Sequence, residues 1–172
     1  MSPHWTRQPL QWFFRTALHA RVQVFPVKYD ALLPDPSTCI ALAGSPFPFF
    51  GQVKLSVPPA QISWLNGDDR KETIFSGYFS FQDGRSLDGL AVLLLADASP
   101  PPILRYAGPL AWVPTIEMTV QVRSIPSGTR VGFVSSTNFV TNGLAETDIE
   151  LWSEKGEIVA LGRQLAFIKE NI

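Results

Sequence analysis

The stretch that most constrains the fold is Ser86 to Leu104, SLDGLAVLLLADASPPPIL. Leu87, Leu90, Ala91, Val92, Leu93, Leu94, Leu95 and Ala96 leave no polar face at a period of 3.6 residues. A helix that is apolar all round belongs inside a fold. It is too short to cross a bilayer, which takes about 20 apolar residues. Ser86 is placed to cap its N-terminus, and Pro100, Pro101 and Pro102 prevent it from continuing. One ionisable group, Asp97, sits at its far end.

The flanking chain alternates like antiparallel sheet. Val53, Leu55 and Val57 stand against Gln52, Lys54 and Ser56, and Pro58-Pro59 ends that strand. A second strand runs from Lys71 to Gln82, and Asp83-Gly84 turns the chain into the helix. Beyond the prolines, Leu110 to Val122, Arg130 to Thr141, Leu144 to Trp152 and Glu157 to Lys169 read as four more strands. Asn142-Gly143 and Lys155-Gly156 supply hairpin turns. The order β-β-α-β-β-β-β describes an α+β chain of the hotdog type, a curved antiparallel sheet wrapped around a central helix at about Ser86-Ala98.

The hotdog domain is expected over 48–172. Residues 1–47 stand apart as an N-terminal extension or the remnant of a first repeat. They hold Trp5, Trp12, Phe13 and Phe14, then a short β-like run from Ala20 to Tyr29. A proline-punctuated stretch with Pro34, Pro36, Pro46 and Pro48 follows and should be mostly irregular. A net charge of −1 with no basic run argues against a nucleic-acid partner. Cys39 is the single cysteine, which excludes an intrachain disulfide and fits a reducing compartment. His4 and His19 are the only histidines, so neither a His-based triad nor a multi-His metal site is expected. No ligand cluster or glycine-rich phosphate loop calls for a metal or a redox cofactor. Arg7, Arg15 and Arg21 interrupt any leader-like apolar run, and no membrane span is expected. A cytoplasmic setting is expected and a peroxisomal one stays open, although the terminal Glu170-Asn171-Ile172 is no peroxisomal address.

Three separated segments carry a closer likeness. LLLADASPPPIL, AWVPTIEMTVQV and NGLAETDIELWSEKGEIVALGRQLAFI, in that order, resemble the second hotdog repeat of the acyl-CoA thioesterase II-like proteins, over about residues 48–172. The resemblance implies a catalytic group of a helix aspartate, a threonine on the following strand and a glutamine on the last strand. The matching positions are Asp97, Thr115 and Gln164. It also implies an acyl thioester substrate, acyl-CoA or carrier-bound, so coenzyme A enters as part of a substrate and not as a cofactor. These residue types suit the chemistry. A carboxylate can take the proton of an attacking water, a hydroxyl can donate and accept, and an amide oxygen can orient the water. The alternative readings are a helix-end carboxylate satisfied by backbone amides for Asp97 and an ordinary strand former for Thr115. Arg163 reads as a surface or interface charge, and Trp112 and Trp152 as packing residues.

The family's usual chain has two hotdog repeats that enclose an acyl tunnel, whereas one is recognisable here. The missing wall must come from a homodimer or from another hotdog chain. The 45% hydrophobic composition fits a large buried interface. Two other readings stay open. The domain could be repurposed for a biosynthetic dehydration, isomerisation or cyclisation of a hydrophobic substrate, with Asp97 as acid or base. It could also be a non-catalytic dimerising or binding module.

Overall fold

In a computed structural model, which describes residues 33–42, 48–66, 72–108 and 111–169, the apolar run forms helix α1 over Gly89–Asp97. Its N-cap is Asp88, whose carboxylate accepts from Ala91 N at 2.8 Å, and not Ser86 as expected. The reason lies in Leu87. Its side chain is buried and its N–H donates to Gly128 O, so the chain stays extended until Asp88. At the other end Ser99 Oγ donates to Leu95 O, and the prolines supply no further N–H groups.

The helix is not buried on all sides. Ala91, Val92, Leu95 and Ala96 face the core. Leu90 is 77% exposed, and Leu93, Leu94 and Asp97 are exposed with it. The positions i, i+3, i+4 and i+7 form one stripe. A single sheet layer covers one side of a helix, and this stripe is left uncovered by it.

The sheet contains β1 (Ile40–Ala41), β2 (Val53–Val57), β3 (Ile74–Phe81), β4 (Thr115–Val122), β5 (Arg130–Ser136), β6 (Val140–Thr141), β7 (Leu144–Trp152) and β8 (Ile158–Phe167). Its order is β1-β2-β3-β5-β7-β8-β4, with β6 paired to β7 and every pairing antiparallel. Thus β4, the first strand after the helix, lies at the far edge beside the last strand. The expected third strand begins later than Leu110: Pro114 precedes Thr115, and Trp112 makes only an isolated bridge to Lys169. The expected fourth strand divides into β5 and β6, and Asn142-Gly143 closes the hairpin with both residues at positive φ. The β-like run from Ala20 to Tyr29 lies outside the described residues, while the stretch expected to be irregular contributes β1.

Alternation divides the sheet into two faces. Phe75, Phe79, Phe81, Val131, Phe133, Ile149 and Leu151 point inward onto α1. Phe79 and Phe133 pack with ring centroids 4.7 Å apart. The helix rests over β4, β7 and β8. Between Asp97 and Thr115 the chain makes a short helix, α2 (Leu104–Ala107), fixed by Arg105. That buried guanidinium donates to Gln61 O and Glu72 O, pairs with the Glu72 carboxylate at 2.9 Å, and lies over the Phe75 ring.

Candidate active site

Two of the three expected site residues touch. Gln164, on β8, is 5% exposed and points to the inner face. Its Nε2 donates to Thr115 Oγ1 at 2.5 Å. A β-bulge makes this contact possible. Along β4 the register runs Val120↔Gly162, Thr119↔Arg163, Met118↔Gln164, Glu117↔Leu165, and then Thr115↔Ala166. Ile116 is the extra residue. In unbroken register Thr115 would stand opposite Phe167, on the outer face with Glu117 and Thr119. The bulge places it opposite Ala166, on the face that Gln164 occupies.

The amide is placed with its nitrogen toward Thr115 Oγ1. With Nε2 committed to Thr115, Gln164 Oε1 is left buried, and among the described residues it has no hydrogen-bond partner. A buried acceptor without a donor is costly, of the order of 1–3 kcal/mol. It marks a position for a donor that the described residues do not supply.

Polar groups that sequence reasoning did not single out surround this pair. Thr147 lies directly across from Gln164 on β7, fully buried, and shares a hydrogen bond of 3.2 Å with Thr137. The only signal for it was a threonine among Ala145, Ile149 and Leu151 on an otherwise apolar row. Ser135, also fully buried, donates to Pro100 O at 2.7 Å and so pins the segment that follows α1 to the inner face of β5. The inner face is therefore apolar along most of its length and polar at the end where the proline segment crosses it.

Asp97 is the last residue of α1 and is exposed. Among the described residues it makes no hydrogen bond to Thr115 or Gln164; it lies on the uncovered stripe of the helix with Leu90, Leu93 and Leu94. Two further carboxylates lie on these elements: Asp88 caps α1 and Glu117 is exposed on the outer face; Trp152 is buried. Trp112 is 52% exposed. Arg163 is exposed and bidentate to Asp148. Among the described residues no three His, Cys, Asp or Glu side chains are grouped to hold a metal ion, and no helix is long and apolar enough to cross a membrane.

The model of a family described as acyl-CoA thioesterase C-terminal domain matches residues 31–168. Among solved structures, the chain is similar to a protein from Thermobifida fusca YX provisionally assigned as a thioesterase II. The TM-score is 0.73 and the identity 26%, over 88% of this chain and 57% of that one. It is also similar to a hot dog fold protein of unknown function from Alicyclobacillus acidocaldarius, with TM-score 0.69 and 18% identity over 88% and 57% of the two chains. A provisionally assigned thioesterase from Novosphingobium aromaticivorans gives 0.65 and 17%, over 87% and 56%. The last two, at these identities, show the hotdog fold alone. The chain spans less than two thirds of the length of each of these three proteins. No curated protein matches it. The match over residues 31–168 places the chain in the family of the acyl-CoA thioesterase C-terminal domain.

Proposed function

We propose that the domain hydrolyses an acyl thioester, acyl-CoA or carrier-bound, by a water held between Asp97, Thr115 and Gln164. The observation that carries this reading is the buried, unpartnered Oε1 of Gln164 beside an amide nitrogen committed to Thr115. Such an oxygen accepts one O–H of a water and fixes where its lone pairs point. Thr115 Oγ1 already accepts from Gln164, so its own hydrogen is free to donate toward a neighbouring oxygen. The water oxygen attacks the thioester carbonyl carbon while its proton passes to the Asp97 carboxylate. The tetrahedral intermediate then collapses, the carbon–sulfur bond breaks, and the departing thiolate takes the proton back. The products are a carboxylic acid and a thiol, and the enzyme is unchanged.

The exposure of Asp97 and of Leu90, Leu93 and Leu94 supports a second part of the reading. A second hotdog unit, most simply another copy of this chain, covers the stripe and encloses the acyl group beside Asp97. Exposed apolar side chains at this spacing are a helix face without its cover. The test is thiol release from a panel of acyl-CoAs by the paired protein, and its loss in Gln164→Ala with folding intact. Turnover of a non-thioester substrate in place of thiol release would favour the repurposed reading instead.

A further inference from the structure

Four polar side chains form a row across the inner face of the sheet. Thr115 on β4 touches Gln164 on β8, Gln164 stands directly opposite Thr147 on β7, and Thr147 touches Thr137, which follows β5. Gln164 and Thr137 are 5% exposed, and Thr147 is fully buried. Burial of this depth makes an unmatched donor or acceptor costly.

The row leaves one donor and one acceptor over. Thr137 and Thr147 share a hydrogen bond of 3.2 Å in which either hydroxyl can donate. Two hydroxyls carry two hydrogens, so one O–H has no acceptor among the described residues. Gln164 Oε1, on the facing residue, is the acceptor without a donor. Directly opposed strand residues have Cβ atoms about 4.5–5.5 Å apart, a gap that a hydroxyl and an amide can close. The bond from Nε2 to Thr115 lies on the other side of β8, toward β4, and at 2.5 Å is shorter than the usual N–H···O length of about 2.7–3.2 Å. The amide can therefore shift toward β7 and keep that bond. The terminal torsion of a glutamine side chain is broad, so the shift costs little.

We propose that Thr147 is a positioning residue of the site: its hydroxyl accepts from Thr137 and donates to Gln164 Oε1, completing a relay from Thr137 through Thr147 and Gln164 to Thr115. In that direction every hydroxyl accepts one hydrogen and donates one. The amide is then held at both ends, with the Thr147 hydrogen on its oxygen and its nitrogen on Thr115. Hydrogen bonds in series polarise one another, which strengthens Thr115 as the final donor. Oε1 has a second lone pair, and this stays available to a water. The catalytic consequence rests on the proposed hydrolysis; the hydrogen bond does not.

A crystal structure of the full chain tests the bond, whether or not any variant folds. The expected separation of Thr147 Oγ1 from Gln164 Oε1 is about 2.5–3.0 Å. A separation beyond about 3.5 Å, with Oε1 bare or bound only by water, would overturn the proposal. Kinetics of thiol release test the consequence in variants of matched circular dichroism. Thr147→Val should lower kcat about tenfold with KM changed less than about twofold, and Thr147→Ser should restore most of the loss. Thr137→Val leaves the Thr147 hydrogen on Gln164, so its kcat should stay within about twofold of the parent. Both valine variants break the same threonine pair, so a merely structural role would not separate them. Equal kcat in the two would overturn the positioning role. A parent that releases no thiol from any thioester would sink the hydrolysis reading, and the crystallographic separation would then decide the relay alone.

Discussion

Gln164 and Thr115 lie 49 residues apart in sequence and share a hydrogen bond across the outermost pair of strands, because the bulge at Ile116 turns Thr115 onto the inner face. Deleting Ile116 removes the extra residue and leaves Thr115 opposite Ala166, in continuous register and still on the inner face with Gln164. The expected outcome is a folded deletion variant that keeps most of its thioesterase rate, whereas Thr115→Ala lowers it by roughly 10²-fold. Circular dichroism and thiol release measured on the same samples check this. A Thr115→Ala variant as active as the parent would mean that the contact is incidental.

The leucine stripe of α1 predicts an assembly. Replacing Leu90 and Leu94 by Glu puts charge where a second unit packs, and neither side chain is needed in the described core. Light scattering of the parent is expected to give twice the chain mass of 19.0 kDa, and the double variant the single mass. The thermal midpoint of the isolated unit should change little. A parent that stays at 19.0 kDa at all concentrations contradicts pairing of like chains.

Capping assigns different weights to two neighbouring polar residues. Asp88→Ala removes the acceptor of the Ala91 N–H and should cost about 1 kcal/mol of stability. Ser86→Ala should leave stability unchanged within about 0.5 kcal/mol, because Ser86 is exposed and lies outside the helix. Urea unfolding of the two variants separates them.

Burial raises the pKa of the Cys39 thiol above its ordinary 9.0. The thiolate is the reactive form, so the folded chain should alkylate more slowly than the unfolded chain at pH 8, and the gap should narrow at higher pH. The linkage has the matching sign. With the folded pKa raised, this contribution to stability is fully present below the unfolded value and declines as pH rises through the folded one. Iodoacetamide labelling followed by mass spectrometry, with and without urea, measures both arms.

Much of this architecture was legible in the chain because two periodicities are sharply written in it. The alternation of Val53, Leu55 and Val57, and of Ala145, Thr147, Ile149 and Leu151, specifies strands with one buried face, and the apolar run with its proline stop specifies a central helix. What alternation cannot show is where it slips. Thr115-Ile116-Glu117-Met118 looks like continuous strand, yet one residue is extra, and the face of Thr115 depends on it. Nor does an apolar helix tell which of its leucines the sheet will cover. Leu95 is fully buried and Leu94 is exposed, a difference set by the single layer beneath them. The start of α1 was missed for a tertiary reason, the burial of Leu87 against the loop at Gly128.

The central claim is that Gln164 Oε1 and Asp97 hold the attacking water, and one assay tests it most directly. Thiol release is followed over a panel of acyl-CoAs of increasing chain length, with parent, Gln164→Ala and Asp97→Asn proteins of matched mass and circular dichroism. The account predicts release by the parent for at least one chain length, and a loss of roughly 10²-fold or more in kcat for each variant. A parent without release above buffer on any acyl-CoA or acyl-carrier thioester, or variants that match the parent, would contradict it.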